Sequence, residues 1–137
     1  MAKSRRQRVI DRADNCCEYC QLPQQCTSLP HELDHIRSQK LHGPTVLDNL
    51  CLACAPCNSA KGPLASGYDP DTNELIRLFN PRADNWDDHF DWNGPTLVGK
   101  TPIGRATIDV LNINDTLRVE HRGLLIQSKR FPPLRTE

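Results

Sequence analysis

Two cysteine pairs, Cys17-Glu-Tyr-Cys20 and Cys54-Ala-Pro-Cys57, constrain this chain more than any other feature. Each Cys-x-x-Cys turn can hold two corners of a tetrahedral zinc, and two pairs distant in sequence can close the site. A staple of this kind matters in a chain of 137 residues with two Trp, two Tyr, three Phe and eleven Pro, because the core is modest. Structural zinc contributes on the order of 10–16 kcal/mol of apparent folding free energy in small fingers, more than many whole domains retain. Seven cysteines, an odd number, exclude a fully paired disulfide framework for a monomer and favour reduced thiols that bind metal. The opening Met-Ala-Lys-Ser-Arg-Arg lacks the apolar core of a signal peptide, and no run is long enough to span a membrane. A cytoplasmic protein is therefore expected.

The second pair has two possible registers, because Cys51, Cys54 and Cys57 are evenly spaced. Cys54 and Cys57 are the better choice. They bracket Pro56 at a helix start, where the positive helix end stabilises thiolates. Cys51 lies in an apolar strand between Leu50 and Leu52, and Cys16 and Cys26 are read with it as bystanders. A thiol redox protein is excluded, since the βαβ context of such motifs is missing.

Net charge is zero, but it is unevenly spread. Residues 1–62 carry eight Lys/Arg against six Asp/Glu, residues 69–93 two against seven, and residues 99–137 seven against four. Phosphate-backbone binding needs a local positive face rather than a positive whole. The stretch 4–14 reads as a helix capped by Ser4, with Arg5, Arg8 and Arg12 at helical spacing on one face. Residues 31–36 and 46–52 read as strands, followed by a short helix from Pro56 that Gly62-Pro63 ends. Beyond them, 74–79 reads as a strand, 84–90 as a helical turn with Trp86 and Phe90 at i and i+4, and 96–99 as extended. A helix then runs from Thr101-Pro102 to Asn112, and 117–126 leads into a basic tail.

Between and after the cysteine pairs lie Leu33-Asp34-His35-Ile36, Asn49 and Asn58. Asp34 offers hard oxygen to magnesium or manganese, and His35 suits proton abstraction from water. Neighbouring strand residues point to opposite faces, so the two share one site only at a strand end or bulge. Asn49 can bond an imidazole nitrogen and set its tautomer. Asn58 follows a zinc ligand on a short helix and can present its amide oxygen to a metal. Arg37 and Lys61 are candidate phosphate contacts. Each residue alone has a plain alternative as an exposed polar group, a cap or a turn residue; the cysteine frame favours joint chemistry.

Taken as a set, Cys17-x-x-Cys20, Leu33-Asp34-His35-Ile36, Asp48-Asn49-Leu50 and Cys54-x-x-Cys57-Asn58-x-x-Lys61-Gly62 resemble the HNH endonuclease family. The resemblance covers residues 8–63 in unbroken order and implies an α+β fold. Its expected parts are a ββα-metal core with a four-cysteine structural zinc over residues 1–66, and a small mixed α/β extension over 67–137 packed on it. It implies DNA phosphodiester hydrolysis to 5′-phosphate and 3′-hydroxyl ends, with His35 as general base and Asn49 orienting it. A single magnesium or manganese ion would be bound by Asp34 and Asn58. Asn58 stands where the name-giving pattern has His, which favours those harder ions. The segment from Pro81 through Arg122, with Gly104-Arg105-Ala106-Thr107, resembles the tail of small stand-alone HNH proteins. A domain of this size would cut both strands more readily as a dimer or with a partner protein. The alternative is a zinc-stapled nucleic-acid- or protein-binding module without catalysis, which has no need of the Asp34, His35, Asn49 and Asn58 set.

Overall fold

Helix α1 (Arg5–Arg12) starts where the Ser4 hydroxyl accepts a hydrogen bond from the Gln7 amide, and it turns Val9 fully inward. Val9 packs on Leu50 and Leu52, forming a small apolar cluster on one face of the hairpin β1 (Glu32–His35) and β2 (Leu50–Ala53). The two strands pair antiparallel without a bulge, placing Leu33 opposite Leu52, Asp34 opposite Cys51 and His35 opposite Leu50. Every residue of β2 is buried, as its continuous apolar run predicts for a strand covered on both sides. Helix α2 (Ala55–Lys61) follows at once, with Pro in its first turn and Gly62 ending it at φ 50°, in the left-handed region. Strand, strand and helix thus form the expected ββα unit. The structure is a computed structural model and describes residues 2–134.

The remainder adds the hairpin β3 (Ser66–Tyr68) with β4 (Leu75–Arg77), helix α3 (Trp86–His89), and the hairpin β5 (Phe90–Asn93) with β6 (Thr96–Gly99). Helices α4 (Pro102–Val110) and α5 (Thr116–Gln127) complete it, with α4 lying against β3, β4 and β6. The close seating of α4 requires Gly104, where a Cβ would lie 2.2 Å from the His89 carbonyl oxygen. The main apolar core runs from Cys17, Tyr19 and Leu22 through Phe79, Phe90 and Leu97 to Leu111, Leu125 and Phe131. Residues from 1–66 and from 67–137 therefore share it.

Two expectations need correcting. The strand expected over 46–52 begins only at Leu50, because Leu47–Asn49 is a 3₁₀ turn held by side-chain bonds of Asn49. Strands β3 and β5 were not expected. β3 is only Ser66–Tyr68, too short for a period-two pattern, whereas the Asn93-Gly94 turn, with Gly94 at φ 58°, is a hairpin signal that marks β5.

Candidate functional site

Cys17 and Cys20 in the first knuckle meet Cys54 and Cys57 at the start of α2. Their four sulfurs all lie within 4.8 Å of one another, and all four side chains are buried. A tetrahedral zinc with Zn–S bonds of about 2.3 Å sets its sulfurs about 3.8 Å apart; Cys20 Sγ and Cys54 Sγ are 3.6 Å apart. The quartet fits zinc, and Cys51 is excluded from it. Hydrogen bonds from Cys17, Cys54 and Cys57 hold the Cys20 thiol well below its usual range, while burial pushes Cys17 and Cys57 up. All seven cysteines are free of disulfides.

Sequence reasoning missed the arginine that completes this centre. Arg118, on α5, donates from Nη2 to Cys57 Sγ at 2.9 Å and to Cys54 Sγ at 3.8 Å. Its Nη1 bonds the carbonyls of Leu111 and Asn112. Burial works against the guanidinium charge, but Cys57, Cys20 and Cys54 overcome it and raise the pKa. Nothing near Arg118 in sequence signals a metal centre 61 residues away.

At the end of β1 the chain separates two chemistries. The unbroken strand alternation turns Asp34 inward and His35 outward. Asp34 is 4% exposed and Lys61 2%. Lys61 Nζ donates to Asp34 Oδ1 at 3.3 Å and lies 3.2 Å from Oδ2; it also donates to the carbonyls of His35 at 3.1 Å and Ile36 at 3.4 Å. The Tyr19 hydroxyl donates to Asp34 Oδ2 at 2.8 Å, and the Cys51 thiol lies 3.6 Å from the same oxygen. Burial, reinforced by Cys51 and Asp34, pushes the Tyr19 phenol well up; burial beside Asp34 does the same to the Cys51 thiol. Both therefore remain protonated donors to the carboxylate. Lys61, expected at a substrate phosphate, is instead buried as the counter-ion of Asp34.

His35 is half-buried, and its Nε2 is hydrogen-bonded to Thr45 Oγ1 at 2.9 Å. Asn49 does not touch the imidazole. Its Oδ1 accepts from the Arg37 amide at 2.9 Å, and its Nδ2 donates to the carbonyls of Arg37 and Pro44, both at 2.9 Å. It ties together the two ends of the loop that carries Thr45 to His35, so its link to the imidazole runs through the backbone. Gly43 serves the same closure: a Cβ there would fall 1.7 Å from the Arg37 carbonyl oxygen. Arg37 is exposed, with Nη2 donating to the His42 carbonyl at 3.0 Å. Asn58 is half-buried on α2, three residues before Lys61. Of the expected set, the structure gathers the four cysteines and places Asp34 with Lys61. His35 faces the other way, and its partner is a threonine that no motif had marked.

The segment containing these residues matches a known family: residues 17–64 fit the HNH endonuclease model. The chain is 28% identical over 123 residues to the Septu protein PtuB of Bacillus thuringiensis, an alignment covering 88% of this chain and 45% of that protein. It is 34% identical over 88 residues to the Septu protein PtuA of Bacillus mycoides (strain KBAB4), covering 56% of this chain and 12% of that protein. The chain thus spans less than half the length of these curated relatives. No solved structure matches it. Among the described residues no helix is long and apolar enough to cross a membrane. The zinc-ligand quartet, the ββα unit and the family match agree, and residues 17–64 are an HNH endonuclease-family domain.

Proposed function

We propose that this chain hydrolyses DNA phosphodiesters, with His35 as the general base. The observation that carries this reading is the isolation of His35 on the outer face of β1. One ring nitrogen is fixed by Thr45, and no other described residue bonds the ring. The imidazole takes a proton from water, the resulting hydroxide attacks phosphorus in line, and the P–O3′ bond breaks. The products are a 5′-phosphate and a 3′-hydroxyl, the leaving oxygen being protonated by solvent. General-base catalysis contributes about 10²–10⁴-fold. Asn49 is a positioning residue that shapes the Thr45 loop, and exposed Arg37 is placed to meet a flanking phosphate.

Magnesium or manganese, when bound, supplies charge stabilisation to phosphate oxygens in this class of chemistry. Asp34, expected to hold it together with Asn58, does not fit such an ion as it stands. Both Asp34 oxygens are engaged by Lys61, Tyr19 and Cys51, and the ammonium at 3.2 Å would repel a dication. Asp34 becomes a ligand only by exchanging Lys61 for the ion, and no catalytic step is assigned through it. This same engagement of Asp34 is what favours the second reading, a zinc-stapled binding module. The zinc quartet carries its role without rearrangement, and reduced thiolates suit a reducing compartment such as the cytoplasm. A second copy or a partner protein would let so small a domain cut both strands more readily.

Incubation of supercoiled plasmid with the zinc-loaded chain in magnesium, manganese or EDTA tests the proposal. The expected result is nicking that disappears in His35→Ala, and dependence on the divalent ion would report its exchange for Lys61 at Asp34. No nicking by folded wild type under any ion favours the binding module.

A further inference from the structure

Helix α1 carries four arginines, and the structure divides them into two pairs with different tasks. Arg6 Nη2 donates to the His31 carbonyl at 2.9 Å. Arg12 donates from Nη1 to the Leu47 carbonyl at 3.1 Å and from Nη2 to the Leu50 carbonyl at 2.6 Å. With Val9 buried between them, these two residues fix the helix on the hairpin. Arg5 and Arg8 are left exposed one turn apart. The Arg5 guanidinium bonds no described residue, and Arg8 uses only Nε, at 3.4 Å from the Lys3 carbonyl. The two guanidiniums border an open cleft of about 550 Å³ whose other wall is Thr45, Val46, Leu47 and Asp48.

That wall is the same loop that reaches the proposed base. Thr45 lines the cleft and is hydrogen-bonded to His35 Nε2. The cleft therefore joins two permanently charged forks that bond no described acidic side chain to the residue that holds the His35 ring, although His35 itself is not on the lining. Arginine forks match phosphate oxygens in pairs and keep their charge at every relevant pH. Asp48 is the one opposing charge on the lining, so the balance is two positive groups against one negative.

We infer that the cleft between α1 and the 45–48 loop is a nucleic-acid backbone site, in which Arg5 and Arg8 hold the phosphates flanking the one presented to His35. The identity of the ligand rests on the nuclease reading, but the existence of the cleft does not. The site separates the two jobs on one helix: Arg6 and Arg12 dock it, and Arg5 and Arg8 bind.

The test is fluorescence anisotropy of a labelled duplex DNA titrated with the full zinc-loaded chain, without magnesium or manganese, over a range of salt. Arg5→Ala/Arg8→Ala is compared with Lys100→Ala/Lys129→Ala, which removes the same charge from two exposed lysines elsewhere. The cleft predicts about tenfold or greater weakening for the arginine pair, and a slope of log K against log salt shallower by roughly 2. The lysine pair should change affinity less than about twofold. Equal effects of the two pairs, or none from the arginines, overturn the inference. Poly-glutamate displacing DNA as well as unlabelled duplex does, at equal charge, overturns the ligand class and points to an acidic protein partner. Should the double variant misfold, phenylglyoxal labelling of wild type decides: DNA must slow modification of Arg5 and Arg8 more than that of other exposed arginines, and failure to do so overturns the inference. Plasmid nicking run in parallel keeps the two readings apart. Loss of binding in the arginine pair with no wild-type cleavage leaves the cleft standing and removes the nuclease, whereas wild-type cleavage with unaltered binding does the reverse.

Discussion

Lys61 Nζ lies 3.2 Å from the Asp34 carboxylate inside the ββα unit, and the same ammonium bonds the main-chain carbonyls of His35 and Ile36. One cation thus joins the end of α2 to the end of β1, where the outward-facing His35 is mounted. The pair couples the helix that carries Cys57 to the strand that carries His35, so loss of either partner disturbs both.

Removing one partner of a buried pair strands the other charge, so Lys61→Met is expected to destabilise the chain by about 3–5 kcal/mol. Asp34→Asn combined with Lys61→Met should lose less, and urea unfolding of the three proteins measures it. Manganese binding followed by electron paramagnetic resonance should tighten in Lys61→Met, because Asp34 is then free of its ammonium. A variant as stable as wild type, with unchanged manganese binding, contradicts the role given to Lys61.

Arg118 shields a centre that carries four thiolates when zinc is bound, across 61 residues of sequence. Loss of an outer-shell partner typically costs about 10–100-fold in metal affinity. Arg118→Met is expected to release zinc to a competing chelator at correspondingly lower chelator concentration. Wild type stripped of zinc should unfold cooperatively, including the C-terminal helices that share its core. Identical chelator curves for the two proteins would show that Arg118 merely packs there.

Asp69 is fully buried and accepts from Arg105 Nε at 3.0 Å and Nη2 at 2.8 Å, joining the β3–β4 turn to α4. The Arg105 guanidinium holds its carboxyl at about 2, below the ordinary 3.8. A depressed carboxylate stabilises the fold fully above its unfolded pKa, and that contribution is lost as pH falls through the folded one. Wild type should therefore lose Asp69's share between about pH 4 and pH 2. Asp69→Asn should be less stable at neutral pH and show a flatter decline across that window, measured by urea midpoints. Parallel pH curves would assign acid sensitivity to other carboxylates, such as Asp84 beside Arg77.

Thr45→Val keeps the side-chain shape but removes the hydroxyl that fixes His35. A neutral hydrogen bond contributes about 0.5–1.5 kcal/mol, so the cleavage rate should fall about 2–10-fold. The acidic limb of the pH–rate profile, where the rate climbs, should move as well, which a merely structural defect would not cause. Asn49→Ala should have a larger effect, because it releases three hydrogen bonds that close the loop.

The parts of this site that follow regular periods are legible without coordinates. Cysteine spacing identifies the quartet, Pro56 decides between Cys51 and Cys57 as the partner of Cys54, and strand alternation sets Asp34 against His35. Lys61 escapes such a reading because lysines are almost never fully buried unless paired, and its partner lies 27 residues earlier on another element. Thr45 and Arg118 act only through loop closure and helix docking, which leave no local pattern. Gly104, Arg105 and Thr107 look like a motif because three constraints fall together: a close backbone approach, the Asp69 ion pair, and a hydroxyl accepting from the Phe79 amide at 2.8 Å.

Whether His35 is the base of a DNA hydrolase is decided by single-turnover cleavage of end-labelled duplex DNA by wild type and His35→Ala, measured across pH with saturating magnesium or manganese. A base at this position gives 5′-phosphate products, a wild-type rate that rises with pH, and a loss of about 10²–10⁴-fold in the variant. A folded, zinc-loaded His35→Ala protein that cleaves at the wild-type rate with the same pH profile would contradict it.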